Sequence, residues 1–298
     1  IGCFYVESPA MRLLLTKLRA DDYLGLVAAS SVIRPGVARS GMMREYIMRF
    51  RDKARREAAR KAIPELYDIL HETFGVMVYQ EDVIRVAHYL ADLDLADADI
   101  LRRGMSWKFK QRNEFHRVKQ RFWENCRNKG YSEELVKKVW FEVESFANFA
   151  FAKGHSASYA VESFQTLFLK AYYPIEYMVA TVNNGGGFYR PELYIHEARM
   201  HGANIEAPCV NQSQVESTVS GVTVILGFQM IKDLDARTVK LLLAARVERV
   251  FDGVADFVDR VQVGVEQVEL LIKVGAFRFT GLNKKELTWQ ARLLLGKT

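Results

Sequence analysis

The stretch Asn113-Glu-Phe-His-Arg-Val-Lys-Gln-Arg-Phe-Trp-Glu-Asn-Cys126 decides the fold class, because it separates apolar from charged side chains at helical spacing. One buried helix face is predicted by apolar residues that recur every three or four positions, namely Phe115, Val118, Phe122 and Cys126. The intervening cations, Arg117, Lys119 and Arg121, fall on other faces. The pattern is that of an amphipathic helix packed against a core.

The same periodicity continues on both sides of this stretch. A second helix is predicted after Ser132, whose side chain suits an N-cap, with a face made of Leu135, Val139, Val143 and Phe146. A third has its apolar face at Val161, Phe164, Phe168 and Tyr172 and ends before Pro174, since the residue before a proline disfavours helix. A fourth runs from Pro191 to Gly202, which suit a first turn and a C-cap.

Beyond Gly202 the pattern changes. Residues 203–210 read as short and extended, and residues 215–219 and 222–226 flank Ser220 and Gly221 as a two-residue hairpin does. Short helices are then predicted at 236–247, 254–260, 265–273 and 283–295, joined by tight turns as in helix-hairpin-helix units. The predicted fold class is mainly α: a helical domain over residues 1–205, then a small helix-hairpin-helix domain with a short β hairpin over 206–298.

Composition narrows the function. The chain of 298 residues is 49% hydrophobic and 26% charged, as expected of a globular protein with a sizeable core. Its net charge of +6 is unevenly spread: residues 101–130 hold ten basic against two acidic residues, and residues 34–61 ten against three. Basic clusters of this density predict a polyanionic partner, with solvated helix faces as the alternative.

Several classes of protein are excluded at this stage. The three cysteines form no CxxC pair, so neither a disulfide framework nor a zinc ribbon is indicated, and a reducing, cytoplasmic setting fits. No apolar stretch approaches the roughly 20 residues of a membrane span. The chain begins at Ile1 without a signal-peptide pattern, and we expect it to be an internal fragment of a longer protein.

Four tempting motifs are set aside, three on spacing and one because it is more typical of a turn. Gly296-Lys-Thr298 lacks the earlier glycine of a P-loop, and His196 and His201 are five residues apart where a zinc helix needs four. Gly185-Gly-Gly187 is typical of a flexible turn. The series Asp92, Asp94, Asp97 and Asp99 invites a magnesium site, but residues 97 and 99 occupy different helix faces, and Asp97 suits a cap for the helix that runs into Arg102. No metal site and no catalytic residue are predicted.

The stronger signals are cationic. Arg102 and Arg103 are adjacent, and guanidinium forks suit the spread oxygens of a triphosphate. A second cluster is the stretch from Phe151 to Tyr159, which puts within about two helical turns four side chains able to serve phosphate, sugar and base: Lys153, His155, Ser156 and Tyr159.

Taken in order, these strings resemble the fingers region of the bacterial DNA polymerase III alpha-subunit family, a C-family polymerase. The motifs that carry the resemblance are Ile1-Gly-Cys-Phe-Tyr-Val-Glu-Ser-Pro-Ala-Met-Arg12, Ile33-Arg-Pro-Gly36, Ser40-Gly-Met42, Gly75-Val-Met-Val-Tyr-Gln-Glu81, Leu101-Arg-Arg103, Phe151-Ala-Lys-Gly-His155 and Tyr173-Pro174. Further on, Leu226-Gly227, Ile231-Lys232, Phe257 and Leu271-Ile-Lys-Val-Gly-Ala-Phe277 resemble that family's helix-hairpin-helix region. The resemblance covers essentially the whole chain.

The resemblance implies a fragment that binds incoming dNTP and template-primer DNA during replication. It places the magnesium-binding aspartates in a palm domain earlier in the parent sequence, so the fragment alone is expected to be inactive. The expected dNTP-binding residues are Arg102, Arg103, Lys153, His155, Arg34 and Tyr79. The expected DNA-binding residues are Lys108, Lys110, Arg112, Lys273 and Gly275. Other replicase subunits are expected to contact regions outside this chain.

The sequence departs from the family pattern at three places. Ala152-Lys-Gly-His155 stands where members often have Asn-Lys-Ser-His, and Ser106-Trp-Lys108 where they have Gly-Lys-Lys. Lys232-Asp-Leu-Asp235 lacks the glycines that let hairpin amides approach a phosphate, which leaves Gly275 to serve the second hairpin. The alternative function is a non-enzymatic, sequence-independent DNA-binding module.

Overall fold

A computed structural model of the chain describes residues 1–33, 37, 41–104, 113–145 and 152–296. Their contacts divide the chain into two compact units, residues 4–165 and residues 1–3 with 166–298. The division falls inside one long helix, at residues 165 and 166. The predicted domain boundary between residues 205 and 206 lies inside the second unit and stays a prediction.

The first unit is built from helices. In chain order they are α1 (Pro9–Leu18), α2 (Tyr23–Val32), α3 (Met42–Arg51), α4 (Lys53–Ala62), α5 (Pro64–Ile69), α6 (Gln80–Arg85), α7 (Leu95–Arg103), α8 (Asn113–Asn128), α9 (Glu133–Ser145) and the start of α10 (Lys153–Tyr172). A 3-10 turn at His71–Thr73 precedes α6, and a π-helical turn at Val86–Leu90 continues it. The predicted α class is confirmed.

The predicted face of α8 is buried, and that of α9 is buried at two of its four residues, while Leu135 is half-buried. Phe115, Val118, Phe122 and Cys126 are all buried on α8. Ser132 caps α9, where its Oγ accepts a hydrogen bond from the backbone N–H of Leu135 at 3.3 Å. Val139 and Val143 are buried, whereas the side chain of Phe146 lies outside the described residues. Phe122 packs against Trp140, with ring centroids 5.3 Å apart, which joins the two helices.

The predicted face of α10 is wrong, although the helix itself ends before Pro174 as predicted. The residues predicted to be covered are exposed, namely Val161, Phe164, Phe168 and Tyr172. The buried side is made of small residues, Ser156, Ala160 and Ser163. Their size lets the backbone come close: Ser156 shares a hydrogen bond with Ser31 of α2, and Ser163 donates to the carbonyl of Phe4 at 3.0 Å.

The second unit combines helices with a small sheet. Its helices are α11 (Pro174–Asn183), α12 (Pro191–Met200), α13 (Ala236–Glu248), α14 (Val254–Val261), α15 (Val265–Lys273) and α16 (Lys284–Leu295). Its strands are β1 (Asn204–Glu206), β2 (Thr218–Ser220) and β3 (Thr223–Ile225), in the order β1-β3-β2. The helix from Pro191 and the four short helices are confirmed within a few residues.

The β hairpin is confirmed with a shift at its turn. Ser220 pairs with Thr223 at the end of the antiparallel β2–β3 ladder, so the two turn residues are Gly221 and Val222 rather than Ser220 and Gly221. Gly221 takes the left-handed φ of 57° that the first position of such a turn requires. β1 adds to β3 in parallel and accounts for the extended residues predicted after Gly202.

Two apolar clusters hold the second unit together. The first joins α11, α12 and β3 through residues such as Met178, Tyr194 and Val224. The second joins α13 to α16, with Phe251, Phe257 and Phe277 packed edge to face at 5.0 and 5.2 Å between centroids. In the part of the chain described, no helix is long and apolar enough to span a bilayer.

Candidate functional site

Arg102 and Arg103 are the last two residues of α7. This helix begins about one turn earlier than it would if Asp97 were its N-cap. Asp94 is the N-cap, and its Oδ1 accepts from the backbone N–H of Asp97 at 2.8 Å. The prediction that Asp97 caps this helix is therefore wrong. Asp97 lies inside the first turn and is buried, where it forms ion pairs with Arg117 and Arg121 of α8.

Arg102 and Arg103 bind the same carboxylate. The Arg102 Nη2 lies 2.7 Å from Asp99 Oδ1, and the Arg103 Nε lies 2.7 Å from Asp99 Oδ2. The three side chains occupy positions i, i+3 and i+4 of one helix, which is the spacing at which helical side chains meet. About a third of the Arg102 side chain and half of the Arg103 side chain remain accessible to solvent. The pair is thus fixed in position and open to a ligand.

The other aspartates of this series also have structural partners. Asp92 pairs with Lys129 at 2.7 Å, while Asp94 and Asp97 have the capping and ion-pair roles given above. Among the described residues, no group of three or more His, Cys, Asp or Glu side chains is arranged to hold a metal ion. This carboxylate series therefore works as counter-ions and caps within the described ranges.

Tyr79 and Asp82 lie at the N-terminal end of α6, as its N-cap and N3 residues. Tyr79 is the N-cap residue, and its side chain is buried, which raises its pKa. Asp82 turns back over the helix start, where its Oδ2 accepts from the backbone N–H groups of Val78 at 2.8 Å and Tyr79 at 2.9 Å. Burial raises the pKa of Asp82 to about 6 despite these two hydrogen bonds. The two hydrogen bonds hold Val78 and Tyr79 of the Gly75–Glu81 motif at the start of α6.

Lys153 is the first residue of α10, and it contacts the N-terminal end of α6 directly. Its Nζ lies 5.6 Å from the centroid of the Tyr79 ring and pairs with the Glu72 carboxylate. Its backbone N–H donates to both oxygens of Glu81, at 3.0 and 3.2 Å. The structure therefore brings together two of the predicted site residues, Lys153 and Tyr79, which are far apart in sequence.

His155 lies half a turn further along α10 and is exposed. Tyr159 turns toward the aromatic rings of Phe4 and Tyr5, with centroids 5.4 and 5.1 Å away. Ser156 is buried against Ser31. Of the four residues predicted from this stretch, Lys153 and His155 are accessible at the helix start, while Ser156 and Tyr159 pack the helix against its neighbours.

The remaining predicted residues of the first unit, Arg34, Lys108, Lys110 and Arg112, lie outside the described residues. The sequence interpretation missed three acidic residues that contact the predicted cations: Glu72, Glu81 and Asp99. Asp99 was within reach of prediction, because helix spacing pairs it with both arginines. Glu72 and Glu81 precede Lys153 by more than 70 positions, and no local pattern links them to it.

A second candidate site lies in the second unit, at the end of α15. Lys273 is exposed, and the Lys284 Nζ donates to the backbone carbonyl oxygen of Lys273 at 2.7 Å, which places the Lys284 ammonium at the end of α15. Gly275 has a left-handed φ of 79°, and its N–H donates to Ile272 O at 2.9 Å. Gly275 thus follows Val274, the C-cap of α15, in the left-handed conformation that commonly ends a helix, and the exposed Lys273 and Lys284 lie on either side of it in the sequence.

In the first hairpin of this unit, Ile231 to Asp235, the backbone is hydrogen-bonded by the side chain of Gln267. Gln267 Oε1 accepts from the backbone N–H of Asp235 at 2.8 Å, and Gln267 Nε2 donates to the carbonyl of Asp233 at 3.3 Å. Asp233 has a left-handed φ of 65°, a conformation that glycine adopts at lower cost. The backbone N–H of Asp235 is therefore already bonded, and this hairpin carries two exposed aspartates.

Comparison with known proteins identifies both regions. Residues 1–130 match the family model of the bacterial DNA polymerase III alpha subunit finger domain, and residues 202–287 match that of a helix-hairpin-helix motif. The chain is 35% identical over 294 residues to the DNA polymerase III subunit alpha of Aquifex aeolicus, covering 96% of this chain and 25% of that protein.

Two further relatives agree. The DNA polymerase III subunit alpha of Saccharopolyspora erythraea is 32% identical over 295 residues, with 96% of this chain and 24% of that protein covered. The error-prone DNA polymerase of Mycobacterium bovis is 32% identical over 299 residues, with 98% and 27% covered. The chain thus spans about a quarter of the length of these relatives. Together with the two family models, they show that the chain belongs to the bacterial DNA polymerase III alpha-subunit family, with its fingers region in residues 1–130 and a helix-hairpin-helix motif in residues 202–287.

Proposed function

We propose that this region binds the triphosphate of an incoming dNTP in a parent DNA polymerase, using Arg102, Arg103, Lys153 and His155, with Arg34 and Tyr79 in supporting positions. The observation that carries the proposal is the contact between Lys153 and Tyr79, with Lys153 Nζ 5.6 Å from the ring centroid. It joins the start of α10 to the start of α6, so that two motifs distant in sequence share one surface.

The helix pair α6 and α7 supports adding the arginines to this surface. The two helices pack against each other, and only the π-helical turn and residues 91–94 separate them. Short connections between packed helices give antiparallel neighbours. The last turn of α7, with Arg102 and Arg103, is therefore expected at the end of the pair where α6 begins and where Lys153 contacts Tyr79.

The chemistry of the four side chains fits a polyphosphate. Guanidinium forks bind phosphate oxygens through two parallel hydrogen bonds, while an ammonium group acts as a point charge. The start of α10 adds the positive end of a helix dipole beside Lys153 and His155. Phosphoryl transfer depends mainly on positioning and charge stabilisation, so these residues contribute to catalysis without acting as acids or bases.

Magnesium is expected in the parent enzyme, held by palm carboxylates elsewhere in its sequence. The described carboxylates nearest the arginines do not fit this role, because Asp97 and Asp99 are each ion-paired with two arginines. The role proposed for this region is therefore confined to binding and orienting the nucleotide. The chain alone is expected to give no primer extension with magnesium and dNTPs.

Template-primer DNA is the second proposed ligand. In the second unit Lys273 and the neighbouring Lys284 supply positive charge beside Gly275, and in the first unit Lys108, Lys110 and Arg112 are proposed contacts. Lysines of this kind bind DNA phosphates without reading sequence. Contacts with other replicase subunits are proposed only for parts of the parent protein outside residues 1–298.

Steady-state kinetics of the full-length polymerase test the nucleotide site. Arg102→Ala is expected to raise the KM for dNTP by about tenfold, since it removes a charge-assisted contact to phosphate. Affinity for primer-template should change little. The matched control is Arg127→Ala, which removes an exposed arginine paired with Glu133 at 3.1 Å. An unchanged KM in the Arg102 variant would remove this residue from the site.

A further inference from the structure

The ammonium group of Lys153 has two partners within the protein itself. Its Nζ pairs with Glu72 and lies against the Tyr79 ring. Both charged side chains remain 40% accessible, so the ion pair sits at the surface where a ligand can reach it. The hydrogen bond from Lys153 lowers the pKa of Glu72.

Glu72 is presented by a rigid turn rather than by a flexible loop. It lies in the 3-10 turn His71–Thr73. The buried Thr73 hydroxyl donates to the carbonyl of Val76 at 2.6 Å, and Arg49 Nη1 donates to the carbonyl of Phe74 at 2.7 Å. These bonds fix the backbone on the C-terminal side of Glu72, from which its carboxylate reaches Lys153.

The arginine pair shows the same arrangement. Arg102 and Arg103 are both bound to Asp99. Arg102, Arg103 and Lys153 thus each have a carboxylate partner from the chain itself. A triphosphate carries several negative charges, and it must compete with these carboxylates for the same cationic groups.

We propose that Glu72 is a resident counter-ion that the dNTP triphosphate displaces from Lys153, so that Glu72 weakens nucleotide binding and sets its affinity. This inference rests on the proposed function, because it takes Lys153 as a triphosphate ligand. The alternative is that Glu72 serves mainly to stabilise the fold. Exposed ion pairs contribute little to folding stability, which favours a role in binding over a role in folding.

The proposal makes an unusual prediction, namely that removing a side chain from the site improves binding. Glu72→Gln keeps the size of the side chain and removes its charge. In the full-length polymerase it is expected to lower the KM for each of the four dNTPs by about the same factor, roughly three- to tenfold, because the triphosphate is common to all of them. Inhibition by inorganic pyrophosphate should strengthen in the same direction.

Two companion variants separate the possible outcomes. Lys153→Gln is expected to raise the KM for dNTP, and Glu72→Gln added to it should then have no effect, because the cation that Glu72 neutralises is absent. Glu133→Gln is the matched control: it removes an exposed glutamate that pairs with Arg127 and Lys137, neither of which belongs to the proposed site. Its KM should equal that of the unmodified enzyme.

The outcomes are distinguishable. If Lys153→Gln leaves the KM unchanged, Lys153 is not a triphosphate ligand, and the proposed function fails at this residue. If Lys153→Gln raises the KM but Glu72→Gln leaves it unchanged or raises it, only the counter-ion proposal is overturned. It is overturned equally if Glu72→Gln lowers the KM to the same extent with and without Lys153. Thermal unfolding of each variant checks that the fold is retained.

Discussion

The carboxylate of Glu81 accepts hydrogen bonds at both of its oxygens from the backbone N–H of Lys153, at 3.0 and 3.2 Å. Glu81 lies in the first turn of α6, whereas Lys153 begins α10. The start of α10 is thus capped by a side chain from another helix. This contact fixes the backbone from which Lys153 and His155 project, and it leaves the Lys153 ammonium to other partners.

The first prediction concerns this cap. Glu81→Ala leaves the first N–H of α10 without its acceptor, and loss of a helix cap costs about 0.5–2 kcal/mol. We expect a lower unfolding temperature and, in the full-length polymerase, a KM for dNTP raised severalfold, because Lys153 and His155 lose their fixed position. Glu81→Gln retains an acceptor oxygen and should show smaller effects on both.

The control for this prediction is Glu57→Ala, which removes an exposed glutamate from α4. It should change neither the unfolding temperature nor the KM. If Glu81→Ala lowered the unfolding temperature and left the KM as it was, Glu81 would stabilise the fold without positioning the nucleotide site.

The second prediction concerns Asp82 and pH. Burial raises the pKa of Asp82 to about 6 in the folded protein, against about 3.9 in an unfolded chain. The folded state therefore holds this proton more tightly, and its contribution to stability is present below about pH 4 and is lost as the pH rises to about 6. The size of the effect is on the order of 2–3 kcal/mol.

Asp82→Asn removes this titration and keeps an oxygen for the N–H groups of Val78 and Tyr79. We expect its free energy of unfolding to vary less with pH between about 4 and 6 than that of the unmodified chain. Asp68→Asn, an exposed position on α5, is the control and should retain the original slope. Denaturant titrations at several pH values measure the difference, and equal slopes in all three proteins would contradict the prediction.

The third prediction concerns Gly227, part of the Leu226-Gly227 motif. A Cβ at this position would lie 2.3 Å from Glu216 C and 2.5 Å from Ser217 N and Val215 O, all backbone atoms that have little freedom to move. Gly227→Ala is therefore expected to destabilise the second unit by about 2 kcal/mol or more. Gly253→Ala is the control, since its nearest neighbour lies 3.9 Å away. Equal unfolding temperatures for the two variants would show that the backbone relaxes around the new methyl group.

The fold was largely predictable because apolar periodicity reports directly which residues are covered. On α8 the apolar residues occupy one side only, and the pattern predicted the buried face correctly. On α10 apolar residues occupy more than one side, and the small residues Ser156, Ala160 and Ser163 pack closest. A pattern of large apolar residues cannot reveal a face that is buried through small side chains.

The sequence suggested the cations of the candidate site, which remain a prediction, but not the acidic residues that contact them. The types and adjacency of Arg102 and Arg103 indicate a polyphosphate without any knowledge of the fold. Their common partner Asp99 follows from helix spacing. Glu72 and Glu81 reach Lys153 only through the packing of α10 beside the start of α6, and tertiary contacts of this kind have no signature in a single sequence.

The fourth prediction concerns the second hairpin. Lys273 is exposed beside Lys284 and is expected to bind a DNA phosphate. Lys273→Ala should weaken binding of primer-template DNA severalfold at low salt and reduce the slope of log affinity against log salt by about one, since one phosphate contact is lost. Lys240→Ala removes an exposed lysine of α13 and is the control. The same loss in both variants would indicate a general effect of charge rather than a contact at Lys273.

The last prediction concerns the first hairpin, where Gln267 binds a backbone N–H that could otherwise contact a phosphate. The Gln267 Oε1 accepts from the backbone N–H of Asp235 at 2.8 Å, and the exposed Asp233 and Asp235 add two negative charges to this hairpin. Replacing both aspartates with glycine and Gln267 with alanine frees the amide, removes the repulsion and suits the left-handed φ of residue 233. We expect the triple variant to bind DNA more tightly, by about threefold to tenfold, with a steeper salt dependence.

Gln267→Ala alone frees the amide but keeps both carboxylates, so it should bind DNA no better than the unmodified chain. Unchanged DNA affinity in the triple variant would mean that this hairpin does not face the DNA at all. The hydrogen bond between Gln267 and the Asp235 N–H would then serve only to join α15 to the start of α13.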